Sequence, residues 1–325
     1  MADTTDEYQY LDLLMGAYDN NSSYNEYTSS LMEDAKITLD KANSAGIGIQ
    51  KVIELIDTYS NESSSEESAN ELREATCSTL EVLNNTKHSV YHAMDIIKTY
   101  SKESSNDDSA QELGDATCST LNTLNQTKHC VFDAISLIRT YSKESLCDES
   151  AQELKEATCD TLYQLSKTKH GINETINLIR TYSKESSNDE SAEELKTAVY
   201  QTLDSIIENK QDIPIAIKII RTYSKESSDG ESAQDLTDVT TRTMKYMYTN
   251  NTDITTVVNK IQQVHKKKCT EAENNYKQKK KEIESQNKGL FKIFILYKAR
   301  LRLEIDKLPC FDAEELCDDI VGKDN

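Results

Sequence analysis

The sequence predicts an all-α protein: an α-solenoid of about six 41-residue helical-hairpin repeats, followed by a C-terminal capping helix. Three observations favour this fold class. A Thr-Tyr-Ser triplet at Thr58 returns at Thr99, Thr140, Thr181 and Thr222, always at the same interval and without insertion. Apolar residues recur at helical spacing within each interval, and a helix-start signal accompanies them. Self-similarity at a fixed period of this size is typical of repeat architectures, in which each repeat is stable only when stacked on its neighbours.

Residues 1–26 lack the triplet and the helix-start signal. They are acidic and carry several tyrosines around an Asn-Asn-Ser-Ser run. Terminal segments of this composition bury little apolar surface. We therefore expect residues 1–26 to form a flexible N-terminal tail, with at most a short helix at residues 10–18.

The first helix of each repeat, helix A, is predicted by a capping signal and an apolar column. Ser68, Ser109, Ser150 and Ser191 are each followed three positions later by Glu, and Ser232 by Asp. In this capping box the serine and the acid satisfy backbone donors at the helix start. A leucine column follows the signal: Leu31, Leu72, Leu113, Leu154, Leu195 and Leu236. Helix A is expected to span about 18 residues.

A second helix of about 12 residues, helix B, is predicted from a break in the apolar pattern. The break falls at one repeat position, occupied by Gly48, Ser89, Cys130, Gly171, Asp212 and Asp253. Most of these residue types start or interrupt helices. Short connections on both sides make neighbouring helices antiparallel, so each repeat is a hairpin. The array is expected to cover residues 27–272.

Residues 273–325 differ from the array and are expected to form a basic helical cap with an acidic tail. The most apolar stretch of the chain, residues 290–308, contains Lys292, Lys298, Arg300 and Arg302. It is consistent with a helix that caps the last repeat. It is also consistent with an amphipathic helix that contacts a partner or a membrane surface.

Composition limits the function. A net charge of −20 argues against nucleic acid as a partner. No phosphate-binding loop, nucleophile elbow or zinc-protease motif occurs, and the cysteines show no zinc spacing, so we expect a non-enzymatic protein without cofactor or metal. A cytoplasmic location is expected because no signal peptide opens the sequence. Secretion is the alternative, since glycosylation sequons occur at Asn20, Asn21, Asn61, Asn84, Asn125, Asn173 and Asn250.

Two repeated surface features are candidate sites. The first is an Arg/Tyr column, which is expected to bind protein partners: Arg139, Tyr141, Arg180, Tyr182, Arg221 and Tyr223. Recent duplication would explain the same column without any function. The second consists of linker serines beside acidic residues, which are candidate phosphorylation sites or helix caps: Ser104, Ser145, Ser187 and Ser228.

The sequence therefore predicts a scaffold that binds protein partners along its repeated face. Two alternatives stay open. One is a secreted, glycosylated helical protein that interacts with a host or tissue. The other is a membrane-surface protein acting through residues 290–308.

Overall fold

The computed structural model describes residues 4–24, 26–227, 230–286 and 311–322. In these ranges the secondary structure consists of 14 helices, without a strand. They are α1 (Thr4–Asn21), α2 (Thr28–Ala45), α3 (Ile49–Glu62), α4 (Ala69–Asn85), α5 (Val90–Glu103), α6 (Ala110–Thr127), α7 (Val131–Glu144), α8 (Ala151–Ser166), α9 (Ile172–Glu185), α10 (Ala192–Asn209), α11 (Ile213–Glu226), α12 (Ala233–Thr249), α13 (Ile254–Gln286) and α14 (Ala313–Val321). The predicted all-α class is confirmed.

The chain divides into two compact units. The first comprises Met1–Arg180 with Asp189–Lys196, and the second comprises Thr181–Asn188 with Thr197–Asn325. In the first unit the even-numbered helices α2, α4, α6 and α8 stack on one another, and so do the odd-numbered helices α1, α3, α5 and α7. Each odd-numbered helix also packs on the even-numbered helix that follows it. These neighbour contacts are those of a helical repeat.

The helix boundaries follow the predicted signals. Ser68, Ser109 and Ser150 cap α4, α6 and α8, each with a complete capping box. The predicted break also holds: the residues that precede α3, α5, α7 and α11 are Gly48, Ser89, Cys130 and Asp212. Helix B is longer than expected, at 14 residues in α5 and α7.

A buried tyrosine joins each helix B to the helix A that follows it. The phenol oxygen lies within hydrogen-bonding distance of a threonine Oγ1 20 residues later. In the first unit the pairs are Tyr18–Thr38 (2.7 Å), Tyr59–Thr79 (2.6 Å), Tyr100–Thr120 (2.8 Å) and Tyr141–Thr161 (2.7 Å). In the second they are Tyr182–Thr202 (2.5 Å) and Tyr223–Thr243 (2.9 Å). Burial raises the pKa of every one of these phenols, for example that of Tyr182 to about 12.

In four linkers of the first unit, a buried or partly buried acidic residue accepts a hydrogen bond from the first backbone N–H of the helix A in the following repeat. We call these residues the linker carboxylates. In the first unit the acceptor–donor pairs are Glu26–Ala69 (3.3 Å), Glu67–Ala110 (2.8 Å), Asp108–Ala151 (3.3 Å) and Glu149–Ala192 (2.6 Å). A carboxylate is favourable there because the helix start carries partial positive charge and free N–H groups. Burial nevertheless raises the pKa of Glu67 and of Asp108.

Residues 4–21 form a packed helix rather than the flexible tail expected from composition. The side chains of Leu14 and Tyr18 in α1 are fully buried. They stand one full period before Leu55 and Tyr59, so α1 occupies a helix B position. The buried leucine and the tyrosine's hydrogen bond to Thr38 explain why this acidic segment folds.

At the other end, in the second unit, α14 packs against α11, α12 and α13. Its first N–H, from Ala313, donates to Glu231 at 2.6 Å, as in the other linker-carboxylate pairs. Arg242 also pairs with Asp318 of this helix at 2.5 Å. The helix lies in a segment expected to be an acidic tail. Residues 290–308, for which the capping and membrane roles were considered, lie outside the described residues.

Candidate functional site

The prediction of an Arg/Tyr binding column is wrong for its tyrosines, which the structure buries. Tyr141, Tyr182 and Tyr223 have no exposed surface and are hydrogen-bonded to threonines in the next helix. A side chain buried in this way cannot contact a partner. These residues are repeated because the packing needs both the ring and its hydroxyl.

The arginines of the column are exposed but paired. In the first unit Arg139 Nε lies 3.8 Å from Glu103 Oε1, and Arg180 Nε lies 3.4 Å from Glu144 Oε1. In the second unit Arg221 Nε lies 3.9 Å from Glu185 Oε1. Their side chains remain 52–58% exposed. Such solvated pairs stabilise a protein little, and they give the arginines a role between neighbouring repeats that requires no partner.

The linker serines differ in accessibility. Ser145 is buried, and its hydroxyl donates to Glu149 at 2.5 Å. Ser104 donates in the same way to Asp108. Ser187 is exposed and donates to the backbone carbonyl of Glu231 at 3.2 Å. Ser145 is therefore inaccessible to a kinase in the folded protein and instead holds a linker carboxylate. Ser228 lies outside the described residues.

The two ends of the hairpins in the first unit differ in charge. We call the helix A to helix B end, made of residues 84–92, 125–133 and 163–174, the turn-end surface. It contains four lysines and four histidines against two acidic residues. The opposite end, at residues 61–68, 103–109 and 144–150, contains nine acidic residues and no lysine or arginine. The turn-end surface of the first unit is thus locally basic, although the chain as a whole is strongly acidic.

Aromatic side chains are exposed on this turn-end surface. Tyr91 is 52% exposed, Phe132 78% and Tyr163 51%. Lys51 Nζ lies 5.4 Å from the centre of the Tyr91 ring, and Lys167 Nζ lies 4.4 Å from that of Tyr163. Sequence analysis missed this feature because Tyr91 and Phe132 occupy one repeat position in only two adjacent repeats.

The histidines beside the turns pair with the start of helix B in two of the three repeats. His129 Nδ1 lies 3.5 Å from Asp133, and His170 Nδ1 lies 3.3 Å from Glu174.

His88 instead stacks edge-on against His92, with ring centres 5.8 Å apart. Partial burial, aided by His92, lowers the pKa of His88. In the described part of the chain no group of three His, Cys, Asp or Glu side chains is arranged to hold a metal ion.

A second cluster lies in the second unit around His265 of α13. His265 Nδ1 lies 2.9 Å from Glu226 Oε2, and its Nε2 lies 3.3 Å from Cys269 Sγ. The ring of Phe311 approaches His265 edge-on at 6.3 Å. Burial raises the pKa of Cys269, and Glu273 and Glu226 raise it further. The sequence signal that could have revealed this cluster was the spacing of His265 and Cys269, which lie one helical turn apart on α13.

Comparison with protein-family models, curated proteins and solved structures found no match for this chain. None of the described helices is long and apolar enough to cross a bilayer.

Proposed function

We propose that this protein is a non-enzymatic scaffold, an α-solenoid of six repeated hairpins, that binds a protein partner through its turn-end surface. The observation that carries the proposal is the exposure of Tyr91 and Phe132 at the starts of α5 and α7. The proposed setting is the cytoplasm.

The fold does not require aromatic residues at this position. The equivalent residues in other repeats are Gln50, Asn173 and Pro214. Tyr91 and Phe132 therefore expose aromatic surface at a position that Gln, Asn and Pro occupy in other repeats. Exposed aromatic residues are enriched among the side chains that dominate binding energy in protein interfaces.

The charge of the turn-end surface indicates the kind of partner. Lys87, Lys128, Lys167 and Lys169 are exposed there, whereas the whole chain carries a net charge of −20. Complementary charge speeds association and selects against wrong partners. We therefore infer a partner segment with carboxylates beside an apolar anchor that covers Phe132.

The proposal is tested by affinity purification from the native source with three baits. These are the wild type, the double variant Tyr91→Ser/Phe132→Ser, and the matched double variant Arg139→Gln/Arg180→Gln. Loss of two interface aromatics is expected to cost ~2 kcal/mol or more each, which weakens binding by roughly a thousandfold. The arginine variant should retain the partner.

Each alternative outcome has a distinct meaning. If only the arginine variant loses the partner, the arginine column is the binding face. Equal recovery by all three baits would place binding on another surface. If no protein is enriched on the wild-type bait over a bead control, the scaffold proposal is refuted.

The secreted alternative has its own supporting observation. Of the seven sequon asparagines, six are exposed: Asn20, Asn61, Asn84, Asn125, Asn173 and Asn250. The seventh, Asn21, donates its amide to Asp57 at 2.8 Å. Because Asn84 and Asn125 lie on the turn-end surface, glycans there would cover the proposed binding face. Intact-mass spectrometry of the native protein distinguishes the two proposals.

A further inference from the structure

The cluster around His265 has the arrangement of a base-assisted thiol nucleophile. Glu226 Oε2 lies 2.9 Å from Nδ1 of His265, so the Nδ1–H donates to the carboxylate. In the ring form that carries its single proton on Nδ1, the lone pair is on Nε2, which lies 3.3 Å from Cys269 Sγ. A nucleophile within hydrogen-bonding reach of a base, and a base oriented by a third group, is the general pattern of an activated nucleophile.

The repeat pattern explains one half of this arrangement. Three glutamates occupy the same repeat position as Glu226, and each pairs with an arginine in the following helix B: Glu103, Glu144 and Glu185. The residue that takes the arginine's place after Glu226 is Gln262, and His265 on the next turn of α13 binds the carboxylate instead. Arginine has no nitrogen that accepts a proton, whereas histidine has one. The Glu226–His265 pair takes the place of the Glu–Arg pairs of other repeats, and such a pair does not call for a thiol on the other side of the ring.

We propose that Cys269 is a thiol modification site that forms mixed disulfides with low-molecular-weight disulfides, with His265 as its base and Glu226 as the positioning residue. The Sγ–H proton moves to Nε2 of His265 as Sγ attacks one sulfur of the disulfide R–S–S–R. The R–S–S–R bond breaks and the Cys269–S–S–R bond forms. The leaving thiolate takes the proton from His265 and departs as RSH. Cys269 is oxidised and the small disulfide is reduced, so atoms and electrons balance.

Burial and the nearby carboxylates keep Cys269 in its thiol form, because they raise its pKa. Only the thiolate attacks a disulfide, so an adjacent proton acceptor decides the rate. Cys147 provides a comparison in the first unit. It is exposed, has carboxylates around it that also raise its pKa, and its Sγ contacts the backbone oxygen of Asp189 at 3.8 Å rather than a histidine.

The test measures the rate of mixed-disulfide formation at each cysteine of the full chain with oxidised glutathione, read by peptide mass spectrometry. Cys269 should react at least about tenfold faster than Cys147, although Cys147 is the more exposed. His265→Gln should lower the Cys269 rate to that of Cys147 and leave Cys147 unchanged. In His265→Ala, added imidazole should restore much of the Cys269 rate, which a purely structural role of the histidine would not produce.

Two results overturn the proposal. One is a wild-type Cys269 rate equal to or below that of Cys147, a result that does not depend on any variant folding. The other is a Cys269 rate that His265→Gln leaves unchanged, with an unfolding midpoint equal to that of the wild type. Cys269→Ser identifies the modified peptide and should remove its signal.

Discussion

Removing the linker carboxylate Glu149 should destabilise the first unit more than its place in a polar linker suggests. Glu149 is 3% exposed, and its Oε1 accepts hydrogen bonds from Ala192 N–H at 2.6 Å and from the Ser145 hydroxyl at 2.5 Å. Glu149→Ala leaves both donors without this acceptor in a buried place. An unsatisfied buried donor costs ~1–3 kcal/mol. Loss of the charge at the helix start adds about 0.3–1 kcal/mol.

The expected loss is about 2–4 kcal/mol, because some water will reach the Ser145 hydroxyl once the side chain is truncated. Glu149→Gln keeps an oxygen that can accept from both the Ala192 N–H and the Ser145 hydroxyl. Its loss should be limited to ~1 kcal/mol or less, mainly from the missing charge. The neighbouring Asp148 is exposed, so Asp148→Ala should stay within about 0.5 kcal/mol of the wild type.

Urea unfolding followed by circular dichroism measures all three variants. The order of stability should be wild type and Asp148→Ala first, Glu149→Gln next and Glu149→Ala last. If Glu149→Ala unfolds within about 0.5 kcal/mol of the wild type, the linker carboxylates do not hold successive repeats together and the reasoning is wrong.

Burial raises the pKa of Asp108 in the folded protein above its ordinary value of 3.8. The contribution of Asp108 to stability is therefore complete below pH 3.8 and is lost as the pH rises through the folded pKa. The unfolding midpoint of Asp108→Asn minus that of the wild type should thus be larger at neutral pH than at pH ~4. Tyr100→Phe, which removes the hydrogen bond to Thr120, should cost ~1 kcal/mol, and Tyr100→Ala about 3–5 kcal/mol, in denaturant unfolding. Lys128 has φ 62°, so Lys128→Gly should raise stability by about 0.5–1 kcal/mol, whereas Lys128→Ala should not.

The helices were predictable because their signals are local. The capping boxes at Ser68, Ser109 and Ser150 and the breaks before α3 and α5 lie where backbone donors need partners. Beyond a short helix at residues 10–18, α1 was not expected, because it lacks the Thr-Tyr-Ser triplet and was judged by its acidic composition. The signal that could have found it was the position of Leu14 and Tyr18, one period before a leucine and a tyrosine of α3.

The candidate sites were less predictable because they depend on contacts between repeats. A tyrosine that recurs beside arginine has the same pattern whether it is exposed or buried, and only the hydrogen bond of Tyr141 to Thr161 decides between them. The linker acids resembled a solvated connection, whereas Glu67 lies 2.8 Å from Ala110 N–H. The pairing of His265 with Glu226 joins α13 to α11, a contact without a local sequence signal.

We infer that one whole 41-residue period of the sequence is the unit from which the array is built. Deleting residues 109–149 removes one period from the first unit and joins Asp108 to Ser150, which opens a helix as Ser109 did. It should also bring the Ala151 N–H to Glu67, which accepts from the Ala110 N–H in the wild type. A matched deletion of residues 109–138, which is not a whole period, breaks this register.

The most direct measurement is the far-ultraviolet circular dichroism and thermal unfolding of these two deletions beside the wild type. The whole-period deletion should keep the helical signal per residue and unfold cooperatively, while the out-of-phase deletion should lose both. If the whole-period deletion loses cooperative unfolding, or if both deletions behave alike, the repeat account is contradicted.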